Sequence, residues 1–450
     1  MMNKRIDVLH GDILKTLVLL SYPILVCGFF QQLYNIVDTM IIGRFVGSDG
    51  IAIIGGSPNM LINLFNGFAV GIISGSMILV ANKFGEKDEA AITKSINTSL
   101  ILAVILGVVL SVSYIVLGRR ILIFLNVPDL IINRSITYLA IYAVGFPFYF
   151  LFQMAINIFR AMGETKRPTM FLIASFVINI ILDIFLIYFL KFNETGVALA
   201  FILTQIIGAM LVLRSLDAQP NIKISTYTLN IDILKSILVI GIPASITSIL
   251  YAFTNILIQS KVNLLGSTAI AGYAINAKVE NLFWIFMTCI GAAITTFVGQ
   301  NYGAGYFKRI NESIKKSLII GVVITLSISA LVYFLRIPLA SAFSKDTVLI
   351  QYAAKIMRFM APTYITFTLI EVISGILKGM RKTIASTIIT LVCVTLVRVS
   401  YILVFTDIHS SIETILKAYP LSWITASLAF ILYFMYEKKK LLQLEHKKSS

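Results

Sequence analysis

Residues 12–23 read DILKTLVLLSYP, and residues 232–243 read DILKSILVIGIP. The acid, the lysine three places on and the closing proline recur in register, 220 positions apart. Three further pairs follow in the same order: VGSDGIA at Val46–Ala52 with LGSTAIA at Leu265–Ala271, NKFG at Asn82–Gly85 with QNYG at Gln300–Gly303, and FRAMGETK at Phe159–Lys166 with LKGMRKT at Leu377–Thr383. Their offset drifts only between 218 and 220. Apolar stretches resemble one another by chance, but ordered matches at polar, glycine and proline positions mark an internal repeat. The chain reads as two copies of one design.

Each copy is built for lipid. Hydrophobic residues make up 58% of the 450 and charged residues 13%, against about 25% charged in a soluble domain. Apolar runs long enough to cross a bilayer, about 20 residues, fall at 13–42, 51–82, 96–117, 135–159, 169–190, 196–213, 234–262, 268–300, 317–335, 348–377, 384–405 and 412–436. None alternates polar and apolar residues as a barrel strand does. The fold class is therefore an all-α integral membrane protein with twelve transmembrane helices. Six spans per copy is an even number, so the copies run in the same direction. They should form two pseudo-symmetric six-helix lobes around a central cavity, related by an axis along the membrane normal. The expected division is 1–218 for the first lobe, 219–233 for a cytoplasmic linker, and 234–450 for the second lobe with its basic tail.

The net charge of +16 follows from topology. Lysine and arginine crowd one side: Lys4, Arg5 and Lys15 at the start, Lys83, Lys87 and Lys94 after the second run, Lys308, Arg309, Lys315 and Lys316 after the eighth, and Lys438, Lys439 and Lys440 after the twelfth. The opposite loops hold fewer, among them Arg44, Arg119 and Lys191. Such an excess marks the cytoplasmic face, which places both termini in the cytoplasm and the chain in the cell membrane as a multi-pass protein. Anionic lipid headgroups answer the charge, and no nucleic-acid partner is required. Cys27, Cys289 and Cys393 all lie in apolar runs, so no disulfide framework is implied.

Most acidic residues fall in loops or at span ends. Asp38, Asp183, Glu280 and Glu371 lie well inside apolar runs, where a carboxylate costs about 2.5–3.5 kcal/mol on insertion scales. Lys261, Lys278 and Arg398 lie in second-half runs and offer Glu280 and Glu371 ion-pair partners. Lys278 stands only two residues from Glu280, so a pairing there needs another helix. Asp38 and Asp183 have no equivalent cation in the first half and sit at similar depth, roughly 8–12 Å below the outer surface at about 1.5 Å per residue. Desolvation and mutual repulsion make it hard for both to be ionised. Asn179, one turn before Asp183, can hydrogen-bond it. Pro23 inside the first run reads as a hinge or a static bend, and Pro243 as a static bend. Tyr34, Tyr149, Gln153 and Trp284 are candidates to line a substrate cavity, where aromatic rings stack on organic cations.

QQLYNIVDTMIIGRFVGSDGIA (Gln31–Ala52), FRAMGETKRP (Phe159–Pro168), NIILDIFLIYF (Asn179–Phe189), GVALAFILTQ (Gly196–Gln205), TTFVGQNYGAG (Thr295–Gly305) and LKGMRKT (Leu377–Thr383) together resemble the multidrug and toxic compound extrusion (MATE) family, over nearly the whole chain and in order. The resemblance implies twelve helices in two lobes and export of organic compounds in exchange for protons or sodium ions. It matches Asp38 and Asp183 to the family's acidic positions on the first and fifth helices, Asn179 to a polar partner and Pro23 to the first-helix proline. Some members use carboxylates on the seventh and tenth helices as a second ion site. Glu371 matches the tenth, but the seventh run carries Lys261 and no acid. Arg398 falls within about a turn of the repeat-equivalent of Asp183, so the lobes differ in electrostatic character.

The reading favours proton-driven antiport of amphipathic organic cations, with sodium as the second coupling ion, no other cofactor and no metal, by a monomer. A lipid-linked oligosaccharide or lipid flippase is the alternative; its cavity would be cationic, and Asp38 and Asp183 weigh against it. An enzyme is not expected, since the three histidines lie outside the spans and no clustered Asp motif occurs. No G-x-x-x-x-G-K-[ST] loop is present, so no nucleotide is expected as the direct energy source.

Overall fold

The computed structural model describes residues 6–46, 57–124, 129–219, 228–408 and 411–449, with 50, 53, 54, 127 and 224 besides. Long apolar runs leave a backbone in lipid one way to satisfy its own hydrogen bonds, the helix. The described residues contain no strand. In the first half, helices run over Ile13–Phe45 (α1), Ser57–Glu86 (α2), Glu89–Phe124 (α3), Asp129–Val144 (α4), Phe146–Ala161 (α5), Lys166–Ile184 (α6) and Asn193–Asp217 (α7). In the second they run over Ile231–Asn263 (α8), Ser267–Gly303 (α9), Phe307–Phe334 (α10), Arg336–Ser341 (α11), Thr347–Gly379 (α12), Thr383–Ile389 (α13), Val397–Ile408 (α14) and Ile412–Ser449 (α15). Two π-helical stretches, Phe185–Phe189 and Thr390–Leu396, continue α6 and join α13 to α14.

Among the described residues eleven helical segments are each long and apolar enough to cross a membrane. The twelfth crossing is α4 with α5, which meet at a 46° bend. The run 135–159 is thus two helices rather than one. Pro147, in the first turn of α5, has no N–H to continue the ladder. Gly107 of α3 lets the break approach, since a Cβ there would stand 2.3 Å from Pro147 Cα.

Contacts sort the chain into two compact units, Met1–Ile6 with Tyr22–Ser245, and Asp7–Ser21 with Ile246–Ser450. The division cuts α1 two residues before Pro23 and α8 two residues after Pro243. In the first unit α2 meets the opening half of α8 through small residues. A Cβ on Gly71 would lie 2.1 Å from the Ser245 nitrogen, and one on Gly75 2.7 Å from the Gly241 nitrogen. Small residues four apart let membrane helices touch along their backbones. Ser245 Oγ secures the contact by donating to the Phe68 carbonyl at 2.6 Å. Asn230 caps α8, its Oδ1 accepting the Ile233 N–H at 3.0 Å.

In the second unit α9 and α12 pack closely, with Thr295 Oγ1 donating to the Gly375 carbonyl at 3.2 Å. α10 joins them through the Thr325–Thr368 hydroxyl pair at 2.7 Å and Ser329 Oγ on the Ala361 carbonyl, also at 2.7 Å. The start of α1 is held in this unit. Arg309 Nη2 donates to the Gly11 and Val8 carbonyls at 2.7 and 3.3 Å, and Asn301 Nδ2 also reaches Val8 O. Asp12 caps the helix, its Oδ1 accepting the Lys15 N–H at 2.9 Å. That bond, helped by Lys316, holds the Asp12 carboxyl below the usual carboxylate range.

Candidate functional site

Each unit contains a buried polar cluster. In the first, α6 carries Asn179 and Asp183 on successive turns of one face, 5% and 0% exposed. The π-helical stretch starts two residues beyond Asp183; a π turn widens the ladder and often marks a functional position. Farther back on α6, the Thr169 hydroxyl lies 2.8 Å from the Thr165 carbonyl and 3.1 Å from the carbonyl of Pro23. Pro23 is buried within α1, so the proline and the Asp183 helix are tied directly. Asp38 and Tyr34 belong to α1, and their side chains lie outside the described residues.

Tyr149 and Gln153 come together on α5, one turn apart and half-buried, with Gln153 Nε2 donating to Tyr149 Oη at 3.3 Å. The Tyr149 ring lies 5.2 Å from Phe150 and 5.9 Å from Phe201. The loop after α5 adds an acid not singled out from the sequence. Glu164 is buried and held by Arg167 at 2.9 Å and Gln219 at 3.4 Å. Its place in FRAMGETKR, three residues from an arginine, is the signal that could have found it.

In the second unit Lys278 and Glu280 do not share a face. Lys278 is exposed while Glu280 is buried, as two residues on different faces of α9 must be. Lys261 stands in the last turn of α8 rather than deep in a span. Glu280 takes neutral donors instead of a lysine: Asn276 Nδ2 at 3.1 Å and Trp284 Nε1 at 3.2 Å, one turn to either side. Glu371 lies on α12 against Gly291, its Oε1 1.9 Å from where a Cβ of residue 291 would stand. Only glycine at 291 leaves room for that carboxylate.

Arg398 is 2% exposed. Its Nε and Nη2 both donate to Ser422 Oγ, at 2.9 and 2.8 Å. The guanidinium rests 4.5 Å from the Tyr419 ring centre and 5.7 Å from that of Trp423. Tyr273 Oη meets Tyr419 Oη at 2.7 Å. The residues the sequence reading missed, Asn276, Tyr419, Ser422 and Trp423, stand at helical spacing on two helices. Asn276, Glu280 and Trp284 fall four apart, so that face was legible; the crossing with α15 was not.

A repeated all-α membrane fold, with a buried carboxylate beside a buried amide in one unit and buried groups of both charges in the other, is the build of a multi-pass membrane protein. Comparison with known proteins narrows it. The MatE family model matches twice, over residues 23–185 and 243–404, and the chain belongs to this family of multidrug and toxic compound extrusion transporters. It is 26% identical over 444 residues to the probable multidrug resistance protein YoeA of Bacillus subtilis, covering 96% of each chain. It is 23% identical over 390 residues to the probable multidrug resistance protein NorM of Thermotoga maritima, covering 85% of this chain and 83% of that one. Among solved structures it is similar to an outward-facing MATE family transporter of the MOP superfamily, at 20% identity and a TM-score of 0.90, covering 98% of this chain and 100% of the other.

Proposed function

We propose that this transporter exports amphipathic organic cations in exchange for protons, with Asp183 and Asp38 as the exchanging carboxylates, Asn179 as their polar partner and Pro23 as the hinge. Sodium is the second choice of coupling ion. The observation that carries the reading is Asp183, a carboxylate with no exposed surface in a membrane-spanning helix, on the same helix as the hydroxyl that touches the Pro23 carbonyl. Loading a cation neutralises the acid pair, lets α1 repack about Pro23 and displaces the substrate. Unloading on the cytoplasmic side restores the charge.

The energetics suffice. One charge moving through 100 mV yields about 2.3 kcal/mol, and one pH unit adds about 1.4 kcal/mol. Each tenfold gradient costs about 1.4 kcal/mol, so one proton supports a gradient of about 400-fold for a neutral compound. For a monovalent cation exchanged for one proton the electrical terms cancel and the pH term alone drives transport. Vesicles containing the purified chain, loaded with a fluorescent organic cation and given a proton or a sodium gradient separately, test this. Asp183→Asn and Asp38→Asn should each abolish efflux driven by the proton gradient. Undiminished efflux from either variant refutes its role, and efflux driven only by sodium reassigns the ion.

A further inference from the structure

We infer that the second unit carries a binding site for an anionic phospholipid, its headgroup held between Lys315 of α10 and Lys438 of α15 and an acyl chain laid along α10. The site stands apart from the export proposed above and uses none of its residues.

A groove of about 420 Å³ runs along α10, and Lys438 of α15 contributes to its lining. Helical spacing gives the groove its form. Lys315, Ile319 and Val323 fall four apart and are exposed, while Ile314, Leu318 and Val322 make the next row, half-buried. Residues four apart stand one above another on a helix. From Lys315 to Val323 the trough runs about 12 Å, at about 1.5 Å per residue. Lys315 stands two residues before the apolar run 317–335, and Lys438 two residues after the run 412–436. Both ammonium groups therefore mark the edge of the hydrocarbon, where a phospholipid carries its phosphate. Ile319 and Val323 lie deeper in the span Phe307–Phe334. Lysine stems can lie on apolar surface while their charged ends reach headgroup level.

Neighbouring lysines are answered by acids, and these two are not. Lys316 reaches Asp12 at 3.4 Å, and Lys382 and Lys440 reach Glu437 at 3.5 and 3.7 Å. Among the described residues neither Lys315 nor Lys438 joins an ion pair. Glu312, three residues before Lys315, neither lines the groove nor pairs with it. Two unanswered ammonium groups beside an apolar trough select their occupant. A zwitterionic lipid brings a phosphate already neutralised by its own cation. A soluble anion answers the lysines but leaves the trough unfilled. A lipid with net negative charge does both, by charge-assisted bonds at its head and by covering apolar surface below. Basic pockets at headgroup level between membrane helices suit anionic lipids for these reasons.

The full chain in detergent is titrated with dioleoyl phosphatidylglycerol, with dioleoyl phosphatidylcholine and with glycerol phosphate, and bound copies are counted by native mass spectrometry. The first phosphatidylglycerol should bind about 25-fold tighter than phosphatidylcholine, at about fivefold for each basic residue beside an anionic headgroup. Lys315→Gln and Lys438→Gln should each remove about fivefold of that preference, and the double substitution should abolish it. Lys439→Gln, which removes an exposed charge next in sequence but outside the groove lining, should leave it unchanged. Val322→Phe, which fills the trough, should weaken both lipids. Equal affinities of the two lipids for the unsubstituted chain, a comparison that needs no variant, overturn the proposal. So does a loss from Lys439→Gln as large as that from Lys438→Gln, since the preference would then belong to the whole basic face. Displacement of the lipid by glycerol phosphate overturns it in favour of a soluble anion. Uptake of a second copy of the chain in place of lipid overturns it as well.

Discussion

Asp12 makes a measurable bond at the very start of the first helix. Its carboxylate accepts the Lys15 N–H, and that bond, with Lys316, holds its acidity below the usual aspartate range. A group whose folded pKa is depressed contributes stability above its unfolded value and loses it as pH falls through the folded one. The first turn of α1 should therefore fray as pH falls below the ordinary aspartate value of about 4, seen as faster amide exchange over residues 13–16. Asp12→Asn, which keeps the accepting oxygen but cannot titrate, should exchange at a rate independent of pH in that window once intrinsic exchange is removed. Thr169→Val should cost about 1 kcal/mol, the net value of a buried hydrogen bond, and Thr169→Ser nothing comparable, read as unfolding midpoints in detergent. Asp183 was legible from sequence alone because a carboxylate in an apolar run must face the interior. The partners of Glu280 were not. Charge matching pointed to lysines, whereas the helix supplied an amide and an indole one turn away on each side.

Among the elements, the contact of α2 with α8 is the most exacting. Gly71→Val would drive a side chain into the backbone of Ser245, 2.1 Å from the first added carbon. Overpacking a core costs about 1–3 kcal/mol where side chains can yield, and backbone cannot, so the loss should be at the upper end or beyond. The yield of monodisperse protein and its thermal midpoint would show it. Ser245→Ala, which removes only the hydroxyl on Phe68, should cost about 1 kcal/mol. Helix number and class were readable from hydropathy, because lipid allows few alternatives. The break in 135–159 was not placed, although Gly145 and Pro147 flank it. Nor were the π stretches, for no sequence signal distinguishes them. Their positions matter to the repeat: one begins two residues after Asp183, the other ends two residues before Arg398. Each residue of helix turns the face by about 100°, so equivalent positions in the two copies need not present equivalent faces.

At the scale of the whole molecule, the repeat seen in twelve residues of sequence returns as two matches to one family model. What the sequence concealed is the exchange at its start. Residues 7–21 belong to the packing unit of the second copy, and residues up to 245, the opening half of α8 included, to that of the first. Arg309 is the chief fastening for residues 7–21. Arg309→Ala should raise amide exchange over residues 7–16 about tenfold, the equivalent of one charge-assisted hydrogen bond, while leaving 231–245 unchanged. Equal rises in both segments would show that the two are fastened in common. The reciprocity has a practical corollary for anyone recombining this chain with a relative. A graft spliced at the linker would hand each partner a helix end shaped for a foreign bed. Splices at 21–22 and 245–246 would transplant Tyr22–Ser245, all of the first packed body beyond residue 6, in one piece, so hybrids joined there should survive where the intuitive ones do not.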